Sequence, residues 1–196
     1  MIDSKAIELL FTQARTQNGW LDKPVSDDQL KQMFDLLKMA PTSANSQPAR
    51  FVFLRTPAAR ERLRPALSGG NVDKTMSAPV VAIVAYDVDF HEHMPRLFAH
   101  APAMKTMFDG DDKEAMRERF AFRNGSLQGA YLMLAARAVG LDVGAMSGFD
   151  NAKVDAEFFP DGRVRSNFLC NIGYGDPAKV MARLPRFDFD EACTLL

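Results

Sequence analysis

Cysteine is nearly absent from this chain: two thiols, Cys170 and Cys193, stand among 196 residues. They form no zinc-ligand spacing and no disulfide framework. Both are expected to be reduced, partly buried thiols, which makes a reducing cytoplasm the expected compartment. Long hydrophobic runs are missing as well. Stretches such as Pro79 to Tyr86 are far too short to span a bilayer. The opening residues, Met1-Ile2-Asp3-Ser4-Lys5, lack the basic start and apolar core of an export signal. Neither sign of charge prevails, because 24 basic residues face 25 acidic ones for a formal net charge of -1. This balance argues against a nucleic-acid partner and against a solvated, disordered chain. Repeats, low-complexity tracts and linkers are also lacking, so a single domain over 1–196 is expected.

The positive signals are those of a mixed helix and strand protein. Residues 4–15 predict a helix capped by Ser4, with Ile7, Leu10, Phe11 and Ala14 as its apolar stripe. Ser26 and Gln29 form a capping box, and Val25 and Leu30 stand where a hydrophobic staple needs them. Leu30, Met33, Phe34 and Leu37 then share one face, and Pro41 ends the segment. Arg50 to Arg55 and Pro79 to Tyr86 predict strands, the second apolar on both faces and so central in a sheet. Thr56-Pro57 starts a helix that ends before Gly69-Gly70. Residues 112–139 predict a long helix or a broken pair, stopped by Gly140. Asp150 caps a short helix over 150–158, Asn167 to Ile172 is a third strand, and the tail is mostly extended with one turn. Residues 87–111 show no period, carry His91, His93 and His100, and suit a lid or binding segment. The fold class expected is α+β, an α/β sandwich with helices over a sheet.

Several motifs are weak when weighed alone. Gly173-Tyr174-Gly175-Asp176-Pro177-Ala178 follows a strand and matches a dinucleotide fingerprint in form. Only 18 residues follow it, too few for a crossover helix, a second strand and an acidic ribose partner, so it is a strand-ending turn. The three histidines match no metal pattern and are read as surface or lid residues. No nucleophile elbow of a serine hydrolase is present. The loop from Pro41 to Pro48 concentrates hydroxyls and amides that suit the edge of a flat heterocycle, although an ordinary helix-ending loop has the same composition. Arg15, Lys179, Arg183 and Arg186 are candidates for a phosphate, which the guanidinium fork binds in pairs, or else are solvated surface charge.

Taken in order, these segments resemble the nitroreductase family of flavoproteins. Arg15, at the head of Arg15-Thr16-Gln17, is similar to the family's first phosphate-binding arginine. Pro41-Thr42-Ser43-Ala44-Asn45-Ser46-Gln47-Pro48 resembles its Pro-Ser-Ser-x-Asn-x-Gln-Pro loop. Asn71 and Lys74 resemble residues that meet the flavin ring and ribityl chain. Met146-Ser147-Gly148 resembles the turn over the reactive nitrogen N5, and Arg186, with Lys179 or Arg183 beside it, the C-terminal phosphate arginine. The chain departs from the family pattern where Gln17 replaces a serine, Gly19 a basic residue and Ala49 an aromatic one.

The resemblance implies a nitroreductase-like fold, with a mostly antiparallel sheet flanked by helices, in an intertwined homodimer whose active site lies at the interface. It implies FMN as cofactor, NADH or NADPH as hydride donor and a small-molecule substrate, with Thr42, Ser43 and Asn45 supplied by the partner subunit. No side chain is the catalytic group, since flavin N5 carries the hydride. The stretches Arg15 to Trp20, Arg60 to Ser68 and Asn171 to Asp176 are most similar to the branch that reduces malonic semialdehyde to 3-hydroxypropionate in pyrimidine degradation. A general nitroaromatic or quinone reductase is the alternative, and a non-catalytic flavin-binding or interaction protein on the same fold is the second. Broad nitroaromatic activity would mark the first; a colourless protein, or one whose flavin bands NAD(P)H never bleaches, the second.

Overall fold

A computed structural model describes residues 2–196. Four strands, β1 (Ala49–Leu54), β2 (Val80–Asp87), β3 (Asp142–Met146) and β4 (Val164–Gly173), form one sheet in the order β1-β2-β4-β3, and every neighbouring pair is antiparallel. The central position of β2 follows from its composition. All eight of its residues are buried, so their backbone groups need partners on both sides, and β1 and β4 supply them.

Helices cover both faces. On one, α2 (Asp27–Leu37) and α6 (Glu114–Ala138) set Leu30, Met33, Leu37, Leu132 and Ala136 against Val80, Ala82 and Val84 of β2. On the other, α3 (Pro57–Leu63) and α7 (Asn151–Phe158) pack Leu63 and Val154 against Val81, Ile83 and Leu169. The even and odd residues of β2 thus serve opposite layers, as strand geometry requires. The remaining helices are short: α1 (Ser4–Ile7), α4 (Val72–Met76), α5 (Met94–Leu97) and α8 (Phe189–Ala192).

The capping box at Ser26 and Gln29 is formed, Asp150 caps α7, and Gly140 ends α6 at φ +79°. Other expectations are corrected. Asp3, not Ser4, caps the first helix; its carboxylate accepts from Ala6 N at 2.8 Å. That helix is one α-turn followed by a π-turn over Glu8–Thr12, and Ile7, Leu9 and Phe11 face outwards. Phe34 is likewise exposed. As expected, the helix that begins at Pro57 ends before Gly69, at Leu63; of the two readings of 112–139 the single long helix is the one found, over Glu114–Ala138 with a 3-10 turn at Asp111–Lys113 ahead of it. The strand read over Asn167–Ile172 is the fourth, longer at both ends, and β3 is a strand that the sequence reading left unassigned, its last residue Met146 leading into the expected turn.

Residues 90–113 consist of 3-10 turns around α5, a geometry with three residues per turn that leaves no α-helical period to read. His91 is buried there against Phe90 and Phe108, which excludes the surface half of its surface-or-lid reading; His93 is half-buried and His100 exposed. Both cysteines are free: Cys170 is fully buried, with its thiol pushed up to about 12 by desolvation, and Cys193 is exposed.

Candidate functional site

Arg15 reaches its position because the segment after the π-turn runs beside β3. Thr16 bridges Val143 in parallel, and Gln17 N donates to the Val143 carbonyl at 3.0 Å. Gly144 permits this approach, since a Cβ there would lie 2.5 Å from the Gln17 carbonyl oxygen. The C-terminal tail comes back over the same segment. Arg15 donates to the Met181 carbonyl, and Arg183 donates to the carbonyls of Thr12 at 2.8 Å and Ala14 at 3.3 Å.

Between the two runs lies a cleft of about 540 Å³ lined by Arg15, Thr16, Arg137, Arg183 and Arg186 among apolar side chains. None of these four arginines is paired with a carboxylate among the described residues; their hydrogen bonds go to backbone carbonyls. Four guanidiniums together without a counter-charge make an anion-binding surface. Gln17 is not on it. Its side chain is buried beside Gly175, with Oε1 lacking a partner. Lys179 is not on it either, because its stem packs where a Gly19 side chain would stand. Arg183, and not Lys179, lines the cleft with Arg186.

The other predicted residues meet at the far end of β3, about 10 Å from Val143 along the strand. Ser147 and Gly148 follow Met146 directly. The Gly148 carbonyl accepts from Ser68 N at 3.1 Å and from Asn71 Nδ2 at 2.8 Å, so Asn71 is held against the turn with Oδ1 left as an acceptor. A Cβ on Gly148 would lie 2.4 Å from Asn71 Nδ2. Lys74 is anchored by its backbone. Its carbonyl accepts from Trp20 Nε1 at 2.9 Å and Asn171 Nδ2 at 3.2 Å, while its ammonium has no carboxylate partner among the described residues. Thr75, the next residue, donates to Met146 Sδ at 3.4 Å.

The loop of Pro41 to Pro48 is elsewhere. It leads into β1, which stands across the sheet from β3. Ser43 N donates to Asn124 Oδ1 at 2.8 Å, Asn45 Nδ2 to the Leu97 carbonyl at 2.8 Å, and Thr42 Oγ1 accepts from Gln47 N at 3.1 Å. Ala44, Asn45 and Gln47 all have positive φ, a strained arrangement for side-chain-bearing residues. One chain brings Arg15, Thr16, Arg183 and Arg186 together, and likewise Asn71, Lys74, Met146, Ser147 and Gly148; it does not bring Thr42, Ser43 or Asn45 to either group.

Three contributors escaped the sequence reading as site residues. Trp20 and Asn171 fix Lys74 from segments remote in sequence, and Arg137 enters the cleft from the last turn of α6. Arg137 stands out as a polar residue in an apolar helical pattern just before the Gly140 stop, but an arginine at a helix C-terminus ordinarily serves the dipole. No group of three or more His, Cys, Asp or Glu side chains among the described residues is placed to hold a metal ion, and no described helix is long and apolar enough to cross a membrane.

These features define an α+β protein whose anion cleft and backbone turn lie along one edge strand. The chain belongs to the nitroreductase family, whose model matches residues 12–174. A relative from Cupriavidus pinatubonensis, provisionally named an NADH dehydrogenase/NAD(P)H nitroreductase, is 55% identical over 195 residues and is covered along its whole length, as is this chain. A protein of the same provisional name from Burkholderia lata is 60% identical over 190 residues, 97% of this chain and 96% of the relative. A nitroreductase-like structure from Exiguobacterium sibiricum, solved in complex with FMN, superposes with a TM-score of 0.87 at 18% identity, covering 100% of this chain and 99% of the other.

Proposed function

We propose that the protein is a cytoplasmic FMN-dependent NAD(P)H oxidoreductase, a homodimer that reduces malonic semialdehyde to 3-hydroxypropionate in pyrimidine degradation. The observation that carries this reading is the division of labour along β3. A cluster of unpaired arginines stands at one end and a hydrogen-bonding turn with an unpaired lysine at the other. That layout suits an elongated ligand with a phosphate at one terminus and a polar-edged ring at the other. FMN has this form, a structural neighbour was solved with it, and the names of close relatives include NAD(P)H.

Bound FMN supplies a two-electron centre for hydride exchange with a nicotinamide and a carbonyl compound. The chain supplies position and charge. Arg15, Arg183 and Arg186 hold the phosphate through charge-assisted hydrogen bonds. Lys74, whose backbone is anchored by Trp20 and Asn171, would bring its ammonium to stabilise negative charge on the ring. Asn71 would accept through Oδ1, and the Ser147 and Gly148 backbone after Met146 would supply hydrogen-bonding groups to the polar edge of the ring. Thr42, Ser43 and Asn45 join from the partner subunit, a reading supported by their distance from the remaining residues within one chain. The outward-facing Phe11, Phe122, Leu127 and Tyr131 fit a surface that a second copy covers.

The test is an anaerobic absorbance spectrum of the purified protein before and after NADH. Flavin bands that bleach with NADH and return on addition of malonic semialdehyde are expected. Return only with nitroaromatics or quinones would assign a generalist reductase, and absence of flavin bands after incubation with FMN would remove the reading altogether.

A further inference from the structure

The arginine cleft contains one cation that differs from the others in how it is held. Arg15, Arg183 and Arg186 belong to the segment after the π-turn and to the exposed tail. Arg137 rises from α6, the longest helix, whose neighbouring residues Ala135 and Ala136 are buried in the core. Its side chain is half-buried and makes a single hydrogen bond among the described residues, from Nη1 to the Leu10 carbonyl at 3.2 Å. Burial lowers its pKa from the ordinary arginine value, against the opposing fields of Cys170 and Asp142. Neither of these neutralises it. The Cys170 thiol is pushed up to about 12 and is neutral near pH 7, and the Asp142 carboxylate accepts from Gly175 N at 2.9 Å without forming an ion pair with Arg137.

A half-buried guanidinium with one carbonyl as its partner and its remaining N–H groups open to the cleft is placed to take an anion. Four of its five N–H groups are available for that purpose, and the cleft that it lines is the one shared by the three other unpaired arginines. We infer that Arg137 is a phosphate-binding residue of this cleft, the rigid member of the set, presented by a helix while the other three come from a strand-like segment and the tail. The inference rests on the proposed flavin mononucleotide reading and deepens it. Because α6 also carries core residues over β2, Arg137 ties the anion to the body of the domain, and the arginines of the exposed tail complete the site.

The experiment compares FMN with riboflavin, which lacks the phosphate, by fluorescence-quenching titration of the full-length protein after removal of bound flavin. Wild type is expected to bind FMN much more tightly than riboflavin. Arg137→Met should weaken FMN by about tenfold to a hundredfold, the consequence of losing a charged hydrogen bond, and leave riboflavin within about twofold. Arg137→Lys, which keeps the charge without the fork, should fall between the two, and circular dichroism should show α6 intact in both. Equal weakening of FMN and riboflavin would reduce Arg137 to a brace for the Leu10 turn and overturn the inference, as would FMN binding unchanged in Arg137→Met. A wild type with no preference for FMN over riboflavin would instead refute the phosphate reading of the whole cleft.

Discussion

Gly144→Ala is the substitution that most directly tests how the edge of the sheet builds the site. The added Cβ would lie 2.5 Å from the Gln17 carbonyl oxygen, 3.5 Å from its carbon and 3.6 Å from Trp20 Cζ2. The first of these is a backbone atom, so no rotamer change relieves it. The segment carrying Arg15 and Thr16 must move away from β3 by roughly 1 Å to restore an ordinary contact. Overpacking of this kind costs about 1–3 kcal/mol. The Gln17 N to Val143 hydrogen bond, 3.0 Å long, contributes about another 0.5–1.5 kcal/mol when lost. Alanine recovers about 0.4–1 kcal/mol by restricting the unfolded chain. The net loss is about 2 kcal/mol, which for a domain of this size lowers the melting temperature by about 4–8 °C. Thermal unfolding followed by circular dichroism reads this directly, and Gly69→Ala, where nothing lies within 4 Å of the new Cβ, serves as the control. Bound flavin should also be released more readily, because Arg15 moves with the segment. A melting temperature for Gly144→Ala equal to or above wild type would refute the close-approach argument.

Two further outcomes are expected. Asp87 is buried at the end of β2, where its carboxylate meets Arg50 at 2.6 Å and Arg163 at 3.1 and 3.2 Å. Asp87→Asn removes the carboxylate that the two guanidiniums share, leaving Arg163 its pair with Glu92 and Arg50 only backbone carbonyls; because both are about one-third exposed, water offsets part of the cost, and a loss of about 1–3 kcal/mol in denaturant unfolding is expected. His91 has its pKa lowered from 6.5 by burial and then by the charge of Arg117, against Asp89 and Asp109. Its neutral form is thus favoured by the fold, and this contribution is present above pH 6.5 and lost as pH falls through the lowered folded value. The stability difference between wild type and His91→Gln should shrink as pH drops from 7 to 5, and a difference that grows would reverse the assigned sign.

Local chemistry was legible wherever it did not depend on remote partners. Ser26 with Gln29, Asp150, Gly140 and the apolar run of β2 act through groups within a few residues or through composition alone, and the elements they mark form where expected. The strand Asp142-Val143-Gly144-Ala145-Met146 did not announce itself, since glycine and alanine have low strand propensity. It exists because β4 pairs with one side and Thr16 with the other. The first helix misled for the converse reason. Its stripe has the right period, but within one chain Ile7 and Phe11 face outwards and only Leu10 and Ala14 are half-buried.

The candidate site divides in the same way. Residue type marked Arg15 and Arg186 as phosphate candidates, because phosphate recognition favours arginine, whereas Asn71, Lys74, Ser147 and Gly148 were marked only by the order of motifs that resembles the family's. Tertiary structure decided which of these residues share a cleft, chose Arg183 over Lys179, buried Gln17, and drew in Arg137, Trp20 and Asn171. Each of those outcomes depends on contacts between segments distant along the chain, set by sheet register and helix packing rather than by any spacing that a linear sequence displays.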